Sequence, residues 1–298
     1  MQGERPSPSK RGHFLLKLRI ITALCLIPVV LGAIFMLPLP FFALFATAVY
    51  LLAGREWGHF IDAGKTNVVM VFLALVLVAL MASVPIEHIW ADGLHGWIDL
   101  VLNAGALWWL CALPLVLRYP ASRALWQGRP WLKAVFALLS LVPFFWSLLV
   151  LRSYQYEQNP HYGAWLLLFV MALVWAADTG AYFAGKALGR HKLCPSVSPG
   201  KTIEGMIGGV LAACVLALVV TQAVALPAAQ TQAVLLASVV AVLASVLGDL
   251  VESMFKREAG LKDSGSILPG HGGIMDRIDS LTAALPIFVV VYRLAGQG

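Results

Sequence analysis

The chain has 298 residues, 60% of them hydrophobic and only 12% charged, with a mean hydropathy of +0.84. Soluble domains carry about 25% charged residues, so the composition excludes a soluble domain on a single anchor and indicates an integral membrane protein. The formal net charge is +6, and no nucleic-acid partner is expected.

A membrane-spanning helix needs about 20 apolar residues. That rule predicts an all-α integral membrane protein, a polytopic helical bundle of about nine transmembrane helices. They fall near residues 19–37, 39–54, 66–85, 98–117, 132–151, 163–187, 203–226, 232–255 and 279–295. Residues 1–14 read as a basic cytoplasmic tail, 15–160 as N-terminal transmembrane helices and 161–298 as a C-terminal transmembrane catalytic region. The first apolar run passes straight into the second with no small-residue cleavage site, so no cleavable signal is expected. The second span is short, which a tilt, a kink at Pro38 and Pro40, or a partly interfacial position would each accommodate. The four cysteines show no metal-ligand spacing and are expected to be free thiols.

With the N-terminus in the cytoplasm, 19 of the 21 lysines and arginines fall in the tail or in cytoplasmic loops. Only Arg152 and Arg293 do not. This positive-inside bias predicts a protein of the inner (cytoplasmic) membrane, with its N-terminus and its polar motifs on the cytoplasmic side.

Four polar segments interrupt the hydrocarbon. Asp178 lies late in the sixth span, where a lone acid is a functional-site candidate; the plain alternative is a structural hydrogen bond to a neighbouring helix. Ser198-Pro199-Gly200-Lys201-Thr202 opens the seventh span. Ser198 is expected as its N-cap with Pro199 at the first helical position, leaving amides and Lys201 to bind a phosphate. Gly200-Lys201-Thr202 is not a Walker A loop, because position 195 is Pro195 and no strand precedes it. At the end of the eighth span, Asp249, Glu252, Ser253 and Lys256 share one helix face, followed by Arg257. The fourth segment holds His271, Gly272, Gly273, Asp276, Arg277 and Asp279. Gly272-Gly273 permits a tight turn and close approach to a ligand. Carboxylates at a helix entry suit Mg2+, which keeps its waters and bridges to substrate phosphates.

The run Ser253-x-Phe255-Lys256-Arg257-x4-Lys262-Asp263-x-Gly265-x2-Leu268-Pro269-x-His271-Gly272-Gly273-Ile274-x-Asp276-Arg277-x-Asp279 resembles the signature of the phosphatidate cytidylyltransferase (CDP-diacylglycerol synthase) family. The Asp178 and Ser198–Thr202 segments resemble that family too. The resemblance implies transfer of CMP from CTP to phosphatidate, giving CDP-diacylglycerol and pyrophosphate. Under that reading Asp249, Asp276, Lys256 and Arg277 are catalytic. Asp249 and Asp276 bind Mg2+, with Asp279 or Asp178 in support and room for a second cation. Ser253, Arg257, Lys262, Asp263, His271, Gly272 and Gly273 contact substrate. Ser198, Lys201 and Thr202 bind a phosphate, that of phosphatidate in the simplest division. A homodimer is compatible with the resemblance. A transporter would show internal repeats and helices broken at the midplane; here the polar groups crowd at one surface. A CDP-alcohol phosphotransferase would need a Gly and an acid spacing that Asp276-Arg277-Ile278-Asp279 lacks.

Overall fold

The structure, a computed structural model, describes residues 22, 24–62, 64, 66–84, 86–90 and 93–296. The expected basic tail and the start of the first span lie outside the described residues. A short apolar helix, α1 (Leu24–Met36), comes first. Eight longer helices follow: α2 (Leu39–Ile61), α3 (Thr66–Ser83), α4 (Gly96–Leu117), α5 (Pro130–Ser153), α6 (Tyr162–Leu188), α7 (Ile203–Ala223), α8 (Ala228–Ala259) and α9 (Met275–Gly296). Each of the eight is long and apolar enough to cross a membrane. The protein is therefore a multi-pass helical bundle, and the expected first span is represented by α1.

Helix α2 corrects the short, kinked second span. Pro38 is its N-cap and Pro40 sits in its first turn, where a missing N–H costs nothing. The helix then runs unbroken to Ile61, past Arg55 and Glu56. A hydropathy window stops at the first charge, whereas the backbone stops only where its hydrogen bonds end.

Helices α5, α8 and α9 form the buried centre, and α3 and α7 lie at the rim. Helix α7 shows how a membrane helix divides its faces. Gly205, Gly209, Ala213, Ala217 and Thr221 are buried at i+4 spacing, while Ile207, Leu211, Val215 and Val219 face outward. Large apolar side chains gain nothing by leaving lipid, so small residues line the contact and let backbones close up. A Cβ added at Gly180 of α6 would lie 2.6 Å from the Ala212 Cβ and 2.7 Å from the Gly208 carbonyl oxygen.

The two basic residues that escaped the charge count sit together at the end of the bundle away from the motif loops. Arg152 is buried, and its guanidinium donates to the carbonyls of Ile34 (2.6 Å), Pro160 (2.9 Å) and Leu37 (3.2 Å), closing the end of α1. Arg293 pairs with Asp99. Neither is a free charge seeking water, which is why neither obeys the loop statistics.

Gly180→Leu should overpack the α6–α7 contact and lower stability by about 1–3 kcal/mol, read as a lower thermal unfolding midpoint in detergent. Leu211→Val, on the outward face, should stay within about 0.5 kcal/mol of the parent. Equal midpoints for the two variants would contradict this packing.

Candidate active site

All four polar segments meet at one end of the bundle. A two-stranded antiparallel hairpin, β1 (Lys192–Cys194) and β2 (Ser198–Thr202), links α6 to α7. This corrects the expected helix start. Ser198 belongs to a strand, and the N-cap of α7 is Thr202, whose Oγ1 accepts the Gly205 N–H at 3.1 Å. The cause is tertiary. Glu204, in the first turn of α7, accepts the backbone N–H groups of Arg190 (3.1 Å) and His191 (3.2 Å) and contacts His191 Nδ1 at 2.6 Å. The hairpin is thereby folded back over the helix start.

Lys201, carried by β2, reaches α8 and pairs with Asp249 at 2.6 Å. Asp178 of α6 lies within electrostatic reach of both. A cavity of about 410 Å³ opens here, lined by Asp178, Tyr182, Lys186, Lys201, Thr202, Asp249 and Ser280. Gly248 brings α9 against this part of α8: a Cβ there would lie 2.5 Å from the Asp279 carbonyl oxygen. Asp279 accepts the Ser280 N–H at 2.7 Å and interacts electrostatically with Asp249, Glu252 and Lys256.

One turn further along α8 the balance of charge reverses. Ser253 Oγ donates to Asp249 at 3.2 Å. Lys256 Nζ sits between two acids, 2.6 Å from Glu252 and 2.8 Å from Asp276. A second hollow, of about 480 Å³, is lined by Ser253, Lys256, Arg257, Gly260, Leu261 and Lys262. Arg257 Nε donates to the Val197 carbonyl at 3.3 Å, tying α8 to the hairpin. Gly260, at φ +69, caps α8 in the left-handed conformation that glycine adopts without penalty.

Residues 261–274 then turn back to α9. Asp276 stands in its first turn and gathers the loop: Oδ2 accepts Gly273 N–H (2.7 Å) and Ser264 N–H (2.9 Å), and the Ser264 Oγ lies 2.9 Å from it. Gly272 has φ +83 and its Cα packs beside Asp263 and Asp276. His271 donates its backbone N–H to the Leu268 carbonyl at 2.9 Å, and its ring Nδ1 is buried with no partner among the described residues. Lys262 and Arg277 are exposed.

Glu56 is the residue that sequence reasoning missed. It is 1% exposed. Its Oε1 accepts Ile274 N–H at 3.0 Å, its Oε2 accepts Met275 N–H at 2.8 Å, and the Ser264 hydroxyl lies 2.9 Å from Oε2 as an alternative to Asp276. The available signal was the one used for Asp178, an acid inside an apolar helix. Ending the second span at 54 hid it.

Five carboxylates, Asp178, Asp249, Glu252, Asp276 and Asp279, thus share two ammonium groups, Lys201 and Lys256. Among the described residues no three His, Cys, Asp or Glu side chains converge as a closed metal cage. The surplus of carboxylate, with Asp249 open to a cavity, fits an ion that takes one or two protein oxygens and fills its other positions with water and phosphate oxygens. Mg2+ is such an ion.

Residues 17–295 match the model of the Cytidylyltransferase family. A Haemophilus influenzae protein named phosphatidate cytidylyltransferase is 42% identical over 285 residues, covering 93% of this chain and 99% of that protein. A Pseudomonas aeruginosa protein of the same name is 41% identical, over 95% of this chain and 99% of its own length. The Bacillus subtilis protein of that name is 44% identical over 133 residues, which are 45% of this chain and 49% of that protein.

Lys256→Met should cost about 3–5 kcal/mol, because it leaves Glu252 buried without its cation. Glu252→Gln combined with Lys256→Met should lose less than the sum of the single changes, by about 0.5–3 kcal/mol. Denaturant unfolding in detergent reads both, and additive losses would contradict the pairing.

Proposed function

The chain belongs to the cytidylyltransferase family, and from this premise we infer that it transfers CMP from CTP to phosphatidate, forming CDP-diacylglycerol and pyrophosphate. It is a nucleotidyltransferase of phospholipid biosynthesis. The observation that carries the reading is the pairing of two hollows across the end of α8. One is bounded by Asp178, Lys201 and Asp249. The other is bounded by Lys256, Arg257 and Lys262. They meet at the Ser253–Asp249 hydrogen bond.

The reaction needs that arrangement. A phosphate oxygen of phosphatidate attacks the α-phosphorus of CTP. A phosphorus–oxygen bond forms, the α–β anhydride breaks, and pyrophosphate leaves with its electron pair. Both substrates are anions, so they approach only where charge is balanced, and most of the acceleration is electrostatic and positional. The attacking phosphate is already ionised, so no general base is required.

Lys256, Arg257, Lys262 and Arg277 take the CTP phosphates and the leaving pyrophosphate, with Ser253, Asp263, His271, Gly272 and Gly273 around the nucleotide. Ser198, Lys201 and Thr202 take the lipid phosphate on the hairpin side. Mg2+ would be held by Asp249 with Asp178 or Asp279 beside it, and would offset phosphate charge in the encounter. Asp276 would lend Oδ1, with Lys256 kept on Glu252 and within reach of a substrate phosphate. The end of the bundle that holds the site faces the cytoplasm of an inner membrane, a reading supported by the 19 of 21 basic residues assigned to that side.

Labelled CTP and dispersed phosphatidate, given to the purified protein, should yield label in the lipid phase and free pyrophosphate, with EDTA stopping both. Asp249→Asn should lower turnover by about 10²–10³-fold while the protein still inserts and purifies. Near-parent turnover in that variant, or full turnover in EDTA, would sink the metal assignment. For orientation, a cysteine placed at Lys262 in a cysteine-free background should react with an impermeant maleimide only from the cytoplasmic face; reaction from the opposite face would reverse the topology.

A further inference from the structure

Glu56 lies outside both hollows and more than 200 residues before the loop it holds, yet four contacts join its helix to that loop. Its carboxylate accepts the backbone N–H groups of Ile274 and Met275 and meets the hydroxyl of Ser264. One turn on, His59 Nδ1 lies 2.9 Å from the Ser264 carbonyl oxygen. No cation pairs with Glu56 among the described residues. The first turn of α9 and its positive dipole end take that place. Ser264 is shared: its hydroxyl lies 2.9 Å from Glu56 Oε2 and 2.9 Å from Asp276 Oδ2. The Ser264 hydroxyl, with its one proton given to either acid in turn, thus stands between the buried acid of α2 and the acid that meets Lys256.

Two glycines make the same point. Neither Gly265 nor Gly273 has a positive φ, so backbone conformation does not require glycine at either position. A Cβ at Gly265 would run into the Glu56 carboxylate, and one at Gly273 would meet both Glu56 and the Ser264 hydroxyl. The loop is shaped around Glu56. The same stretch of α2 is anchored in turn. Trp57 packs 5.5 Å from Phe255 of α8, and Phe60 stacks at 6.2 Å on the same ring. Lys133 bonds the Phe60 carbonyl at 2.9 Å and pairs with Glu258 at 2.8 Å.

We propose that Glu56 is a positioning residue for the transfer reaction: through residues 264–275 it sets Asp276 against Lys256 and holds Lys262 at the rim of the basic hollow. A carboxylate that merely stabilised the bundle would change how much enzyme is folded, not how the folded enzyme treats one substrate. The proposal rests on the functional reading above for its kinetic arm only.

Glu56→Gln keeps the volume but presents an amide NH2 to backbone donors. It should raise KM for CTP about tenfold, as expected of a small displacement of a binding group, and leave KM for phosphatidate within about twofold. Gly265→Ala, which acts on the carboxylate from the loop side, should give the same split. In a separate arm without substrate, trypsin should cut after Lys262 about tenfold faster in Glu56→Gln than in the parent, because the loop opens more often. A loss of maximal rate no larger than the loss of folded protein, with both KM values unchanged, would assign Glu56 a structural role and overturn the proposal, as would equal cleavage rates. If the parent protein turned over no CTP, the functional reading would fall, and the cleavage arm would still decide whether Glu56 holds the loop.

Discussion

The ammonium group of Lys256 is the constraint on which the site depends. It stands between Glu252 and Asp276 at the end of an apolar bundle, where an unbalanced charge would be costly. Glu252 is sealed from solvent, so the lysine cannot leave without a replacement cation. Asp276 is held in place by the same group and by the loop amides. Two helices and a loop are therefore registered to one nitrogen atom. In the proposed reaction the phosphates of a nucleotide would offer that nitrogen an alternative partner, so the charge that stabilises the free protein would also serve the substrate.

Around this centre, close backbone approach does the positioning. Gly248 lets α9 lie against α8 so that Asp249 and Asp279 share a boundary. Gly180 and Gly208 do the same for α6 and α7, which sets Asp178 beside the hairpin that carries Lys201. In lipid there is little hydrophobic force to press helices together, and small residues at the contact are the available means. The acidic groups are consequently close enough to act on the same ligand, although they come from three different helices.

Particular residues show what was legible beforehand. Asp178, Asp249, Lys256 and Asp276 were visible because a charged group in an apolar run has few uses. The shared face of Asp249, Glu252, Ser253 and Lys256 followed from helical spacing and is present as hydrogen bonds and ion pairs. Ser198 as an N-cap did not hold. Its local pattern suits a cap, but strand pairing with Lys192–Cys194 and the grip of Glu204 on residues 190 and 191 place the helix start at Thr202. Those contacts join residues that no local window compares. Glu56 was missed for the same kind of reason: the span rule ended its helix early, and its partners lie beyond position 260.

The amino-acid order alone determined the class of molecule, the number of long apolar segments to within one, the polar end of the bundle and the family signature. Each of these depends on local composition, on spacing along a helix, or on the cost of charge in hydrocarbon. Only the tertiary structure decided which acids share which lysine, where α7 begins, why Gly265 and Gly273 carry no side chain, and that a carboxylate from the second long helix grips the signature loop. Those outcomes depend on which helix faces pack together, and packing between segments hundreds of residues apart leaves no periodic mark in either segment.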